Sequence, residues 1–448
     1  MDAGSSSSSA PLHVVLCPWL AFGHLLPYLE LAERLASRGH RVSYVTTPGN
    51  IARLPPVRPA VAPRIELVAL PLPHVDGLPD GADSTNKVPH GKSELLWKAF
   101  DKLGNPFLEF LGAACASGKR PDWLIVDIFH HWAAAAALEH KVPCAVFLLS
   151  SASNIASWDS RWSSWRADPA AAAAKLAATG HEQPGTVPHY ESKKKTQLFA
   201  NQEPSGMSIV QCFFLTLERC TVAVMRSCPE WEPESISLLN TLMGRPVIPL
   251  GLLPPSPDGG RGATTVDGDD ANRAVHELAH GLELSGTRFL WALRKPSGVV
   301  DDADILPPGF IERTRGRGSV AMGWVPQTSI LAHGAVGAFL THCGWSSITE
   351  ALLFGRPLVM LPIAGDQGPN ARIMEGKKVG MQVPRDEDDG SFDRQGVAST
   401  VRAVMHDEET RTVFVANAKE LQGIVADNEL HEGYIDRFIQ QLRSYYQK

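Results

Sequence analysis

Several features that would classify this chain at once are missing. Its seven cysteines (Cys17, Cys115, Cys144, Cys212, Cys220, Cys228 and Cys343) are odd in number and include no C-x-x-C pair. That argues against a disulfide framework or a zinc site, and for a reducing compartment. The opening MDAGSSSSSAP lacks the basic and apolar regions of a signal peptide. No apolar run nears the roughly 18 residues that a membrane span needs. The chain is therefore expected to be cytoplasmic, without an integral membrane segment, and nothing in it demands a second copy, so a monomer is expected. Positive charge is not in excess: 42 lysines and arginines face 48 acidic residues, a net charge of −6. Such a balance excludes the electrostatic footprint of a nucleic-acid or anionic-membrane binder. No G-x-G-x-x-G opens a helix after the first strand and no G-x-x-x-x-G-K-[ST] occurs, so the two best-known phosphate loops are absent. No cluster of carboxylates argues for a metal.

What is present is a repeating alternation of strand and helix. At 448 residues there is room for two or three domains. LHVVLCPW, from Leu12, reads as a buried strand. After the tight Ala21-Phe22-Gly23-His24 comes a helix with apolar positions at Leu25, Tyr28, Leu31, Ala32 and Leu35, and then the strand His40 to Thr47. Such a βαβ unit predicts a parallel sheet with right-handed crossovers. Ile65 to Leu72, Trp123 to Phe129, VPCAVFLL and Thr221 to Cys228 continue the strands. Ser150 to Met207 differs in character, with Trp158, Trp162, Trp165, polyalanine and Lys193-Lys194-Lys195. It reads as a partly helical surface excursion whose tryptophans are either a surface stripe or part of an apolar ligand wall.

RPVIPLGLL ends in Pro254-Pro255, followed by the glycine- and aspartate-rich SPDGGRGATTVDGDDAN. This predicts a first domain over 1–253, a linker over 254–273 and a second domain over 274–448. The fold class is α/β: two doubly wound Rossmann-like domains facing across a cleft. The last helix, YIDRFIQQLRSYY, is amphipathic and suits either domain. One element is missing, because the second domain's first helix, Ala274 to Ser285, comes straight out of the linker without a preceding strand. A strand there is normally central to a doubly wound sheet, so its loss should expose neighbouring edges. RPVIPLGLL is a poor substitute, since its two prolines disfavour a central place.

Two groups of residues carry chemistry. Thr341-His342-Cys343-Gly344-Trp345-Ser346-Ser347 joins a strand to a helix. Gly344 permits close backbone approach, and free N–H groups at a helix start attract anions. On spacing alone, an ordinary capped turn explains these residues better. In the first half, His24 follows strand one and Asp127 ends a later strand, which puts both at one rim of the sheet. By themselves, a His at a helix start and an Asp after a strand are more often structural.

Residues 324–367 read WVPQTSILAHGAVGAFLTHCGWSSITEALLFGRPLVMLPIAGDQ. This segment closely resembles the signature box of plant family 1 UDP-sugar glycosyltransferases. The likeness extends to P-W-L-A-F-G-H-L-L-P, to G-L-P-D-G-A-D-S-T and to G-L-E-L-S-G-T-R-F-L-W-A-L-R. The resemblance implies a GT-B architecture, with an acceptor-binding first domain and a UDP-sugar-binding second domain. It gives Trp324 the uracil stack, Gln327 the polar edge of the base and Glu350 the ribose hydroxyls. The turn with His342, Gly344, Trp345, Ser346 and Ser347 would hold the diphosphate, and Asp366 and Gln367 the sugar. His24 corresponds to the catalytic base and Asp127 to its partner, with inverting transfer and no metal or cofactor. UDP-glucose is the implied co-substrate, and the acceptor is a hydroxyl of a small lipophilic metabolite. The overall pattern is most similar to the branch that adds sugar to flavonoid or terpenoid glycosides.

The chain departs from that pattern twice. Ser346 stands where the box usually has Asn. Before Ala274 the family's β-branched strand and Gly-Ser turn are missing, a shortfall of roughly twenty residues. These departures support a second reading, an impaired relative or truncated gene product that binds UDP or a metabolite without turnover. A nicotinamide-dependent oxidoreductase also fits the fold class but lacks the glycine fingerprint.

Overall fold

The β-branched runs of the first half form one seven-stranded parallel sheet in a computed structural model that describes residues 10–88, 92–156, 188, 190–191, 207–255, 271–293 and 305–445. Its strands are β1 (His13–Cys17), β2 (Arg41–Thr46), β3 (Ile65–Ala69), β4 (Trp123–Asp127), β5 (Cys144–Leu148), β6 (Val222–Met225) and β7 (Val247–Pro249), in the order β3-β2-β1-β4-β5-β6-β7. The order reverses between β1 and β4, whose carboxyl ends lie side by side with Cys17 level with Val126. In a doubly wound sheet, that crevice is where ligands bind. The alternating faces of the strands fill two cores. One holds Val15, Val126, Val146 and Phe213, the other Val14, Leu16, Ile125 and Phe147. As its prolines require, β7 lies at the sheet edge.

The second half is a sheet in two pieces. Among the described residues β8 (Phe289–Leu293) pairs with β9 (Gly318–Met322) alone, while β10 (Phe339–Thr341), β11 (Leu358–Met360) and β12 (Gly380–Gln382) form a separate parallel group. Among the described residues no strand joins the two. This is the gap expected from the absent strand, and Leu290 of β8 is 51% exposed. The helix Ala271–Ser285 packs against the helix Arg394–His406 and, through Leu278 and Leu282, on Val359 and Leu361 beside the gap.

The final helix, Asn428–Ser444, crosses back to the first sheet. Its Ile435, Phe438, Ile439 and Leu442 enter the core of β1, β4 and β5, and Trp123 donates its indole N–H to the Leu442 carbonyl at 3.2 Å. Arg34 and Arg38 pair with Glu432, and Arg38 also with Asp436. The excursion with Trp158, Trp162 and Trp165, and the linker over 256–270, lie outside the described residues. No described helix is long and apolar enough to cross a membrane.

Candidate functional site

His24 and Asp127 meet at the crevice between β1 and β4. The helix after β1 begins earlier than its periodicity suggested, at Phe22, so His24 sits in the first helical turn with its N–H bonded to the Ala21 carbonyl at 2.8 Å. Asp127 is the last residue of β4. His24 Nδ1 and Asp127 Oδ2 are 2.6 Å apart. The carboxylate is 1% exposed and also accepts from the backbone N–H groups of Ile128 at 2.7 Å and Trp19 at 3.3 Å. Burial would raise the Asp127 pKa, but the charge and hydrogen bond of His24, with the nearby His130 and the Trp19 N–H, hold it below the ordinary carboxylate value. Burial likewise works to lower the His24 pKa, and the charge and hydrogen bond of Asp127 outweigh it, leaving His24 raised. With an acceptor-only carboxylate on Nδ1, the neutral ring carries its proton there and keeps a lone pair on Nε2.

An aromatic wall flanks this pair. Trp19 stacks on Trp97 with ring centroids 4.0 Å apart, and Phe129 stands edge-on to both at 5.2 and 5.1 Å. The Phe129 ring lies 6.3 Å from that of His24. Trp19 and Phe129 follow β1 and β4 closely, so the rim logic that selects His24 and Asp127 also points to them. Trp97 carries no such signal, because it arrives from a separate helix, Ser93–Lys102.

The turn over residues 341–347 leads into the helix Trp345–Leu353. Cys343 is left-handed at φ +66°, a costly conformation for a residue with a Cβ. Thr341 Oγ1 accepts from its N–H at 3.2 Å, and Asn370 Nδ2 donates to its carbonyl at 3.2 Å. Gly344 allows this path: a Cβ there would lie 2.5 Å from His342 Nε2. Burial pushes the His342 pKa down to about 4, so near neutrality this ring offers a neutral N–H rather than a cation.

Around the turn, Trp324 leaves its indole 62% exposed, an open stacking surface. Gln327 donates to the buried Glu350 carboxylate at 2.7 Å, so these two residues, far apart in the sequence, are brought together. Asp366 accepts from the Ser150 hydroxyl of the first domain at 2.7 Å. Gln367 is turned inward, its side-chain oxygen taking the N–H groups of Ile363 and Ala364 at 2.7 and 2.9 Å. Arg226, Ser150 and Trp231 join the site without having been singled out in the sequence. Arg226 donates to Ser346 Oγ at 2.7 Å, and Trp231 meets Trp345 edge to face at 6.1 Å. A basic residue ending the apolar run TVAVM was the one available hint. Asp366 and Arg226 both bias the charge of His24, so the dyad lies within electrostatic reach of Asp366 and of the Arg226–Ser346 contact.

The family profile described as "UDP-glucoronosyl and UDP-glucosyl transferase" matches residues 265–429. The chain is 35% identical to UDP-glycosyltransferase 91C1 of Arabidopsis thaliana, over 97% of each chain. It is equally similar, at 35%, to soyasaponin III rhamnosyltransferase of Glycine max, over 98% of this chain and 97% of the other. The first of these alignments runs over 467 positions, more than the chain's 448 residues, so the relative carries residues that this chain lacks. The fold is shared with a UDP-glucosyltransferase from Polygonum tinctorium capable of glucosylating indoxyl, at a TM-score of 0.76 and 23% identity over 98% of this chain and all of the other. Phytolacca americana UGT2, solved with UDP-2-fluoro-glucose and pterostilbene, matches at 0.74. Likeness from end to end, in both sequence and fold, places the chain in plant family 1 of the UDP-glycosyltransferases.

Proposed function

We propose that this enzyme transfers glucose, with inversion, from UDP-glucose to a hydroxyl of a plant glycoside of the flavonoid or terpenoid type. The observation that carries this reading is the His24–Asp127 hydrogen bond of 2.6 Å, within electrostatic reach of Asp366 and Arg226. His24 Nε2 takes the proton of the acceptor hydroxyl as its oxygen bonds to the anomeric carbon. The bond from that carbon to the diphosphate oxygen breaks, and UDP leaves with the electron pair from the opposite face. Asp127 holds the tautomer and stabilises the imidazolium that forms. Charge on the departing diphosphate meets the N-terminus of the Trp345–Leu353 helix, the hydroxyls of Ser346 and Ser347 and the neutral His342. Trp324 stacks the uracil, Glu350 takes the ribose hydroxyls with Gln327 orienting it, and Asp366 addresses the sugar. Gln367 supports the loop before Asp366 in the observed conformation. The Trp19–Trp97–Phe129 wall suits the apolar or sugar-ring face of an acceptor. Names such as soyasaponin III rhamnosyltransferase favour a glycoside acceptor.

The test is to incubate the protein with UDP-glucose and a panel of flavonoid and terpenoid glycosides, and read the product's anomeric configuration by NMR. A β-linked glucoside from the α-linked donor is expected, and an α-linked product contradicts the single-displacement step. The split second sheet favours a further reading, a relative that binds UDP without turnover. UDP binding with no product from any acceptor would select it.

A further inference from the structure

Arg226 follows the last residue of β6 in the first domain, and its side chain is fully buried. Nε donates to the Leu252 carbonyl at 2.8 Å and Nη2 to the Leu253 carbonyl at 3.2 Å, which fixes the plane of the guanidinium. Nη1 then reaches across the cleft to Ser346 Oγ at 2.7 Å. The backbone joins in, because the Arg226 carbonyl accepts from Trp345 Nε1 at 3.1 Å. Cys228 and Trp231, a few residues on, share one apolar cluster with Trp345 and Ile348. Side chain, main chain and neighbouring core all bind one first-domain segment to the phosphate turn.

A serine hydroxyl has one proton to give and two lone pairs. A guanidinium N–H on one lone pair polarises the hydroxyl and leaves its hydrogen to point elsewhere, and the open side of this turn is where an anion would sit. We infer that Arg226 is a positioning residue for the donor's diphosphate: it holds Ser346 as an acceptor, so that the serine hydroxyl donates to a phosphoryl oxygen. The inference rests on the reading of this turn as the donor's phosphate site. It gives the departure at Ser346 a physical role and brings a cation from the first domain to a cradle whose own sheet is incomplete.

The experiment compares UDP and uridine affinities, by ligand-observed NMR, for the full-length chain and for Arg226→Gln, Arg226→Lys, Ser346→Ala and the double variant Arg226→Gln/Ser346→Ala. Arg226→Gln and Ser346→Ala are expected to weaken UDP by tenfold or more and to leave uridine within twofold. The double variant should lose no more than the worse single variant, and Arg226→Lys should recover part of the loss. Should Arg226→Gln fail to fold, Ser346→Ala alone still carries the comparison. Equal losses for UDP and uridine, or additive losses in the double variant, overturn the inference and leave the donor site standing. A native chain that binds neither ligand overturns the donor-site reading and this inference together.

Discussion

The proton affinity of His24 is set by a carboxylate that is itself almost fully out of water, 2.6 Å away. A base works only when neutral, so with its pKa raised by Asp127 the acid limb of kcat/KM is expected above the ordinary imidazole value of about 6.5. Activity should rise as pH increases through that limb. Stability linked to the same group runs the other way. It is present in full below the unfolded imidazole value and lost as pH rises through the raised folded value. Asp127→Asn removes the anion and leaves burial to act on the ring, so the acid limb should move downward while kcat falls by about 10²- to 10⁴-fold. A pH profile of the variant checks both, and an unmoved limb contradicts the assignment. At the start of the Trp345–Leu353 helix, Gly344→Ala would force the His342 ring aside, since the new Cβ meets Nε2 at 2.5 Å. UDP affinity is expected to fall by about tenfold, the order of one lost hydrogen bond, and titration calorimetry measures it.

At the scale of elements, the consequential feature is the break between β8 and β10. Strand edges without a neighbour leave backbone groups to water, and Leu290, half exposed on β8, already behaves as a surface residue. Leu290→Lys should therefore change stability by no more than about 0.5 kcal/mol in thermal denaturation. Inserting a β-branched strand with a Gly-Ser turn ahead of Ala271 should raise Tm by several degrees and tighten UDP, if the gap is as wide as one strand. This break was legible in the sequence, because no apolar strand run stands between Pro255 and the Ala271–Ser285 helix. The rim position of His24 and Asp127 was equally legible, as neighbouring parallel strands end level with one another. What could not be read depends on which groups meet across a loop, between helices or between the two halves. The inward turn of Gln367 depends on how its own loop closes, the Gln327–Glu350 bond on packing of two helices, and the reach of Arg226 on how the domains meet. Periodicity describes which face of an element is buried and is silent on what lies opposite it.

At the scale of the whole molecule, the two halves are bound by a few named contacts. Ser150 meets Asp366, Arg226 meets Ser346 and Trp345, and Lys377 donates to the Trp231 carbonyl at 3.1 Å. The final helix completes the tie by inserting Phe438 into the core of the first sheet, although it follows the second sheet in the chain. Phe438→Ala should cost about 3–5 kcal/mol. It should also destabilise the first domain, which carries the dyad, as hydrogen exchange on β1 and β4 would report. The proposed transfer needs both halves of the chain, His24 and Asp127 from one and the 341–347 turn from the other. Its most direct measurement is UDP release from UDP-glucose in the presence of glycoside acceptors, native chain against His24→Ala. Acceptor-dependent release by the native chain and a loss of at least about 10²-fold in the variant are expected. Equal release by the two proteins would contradict the proposed transfer.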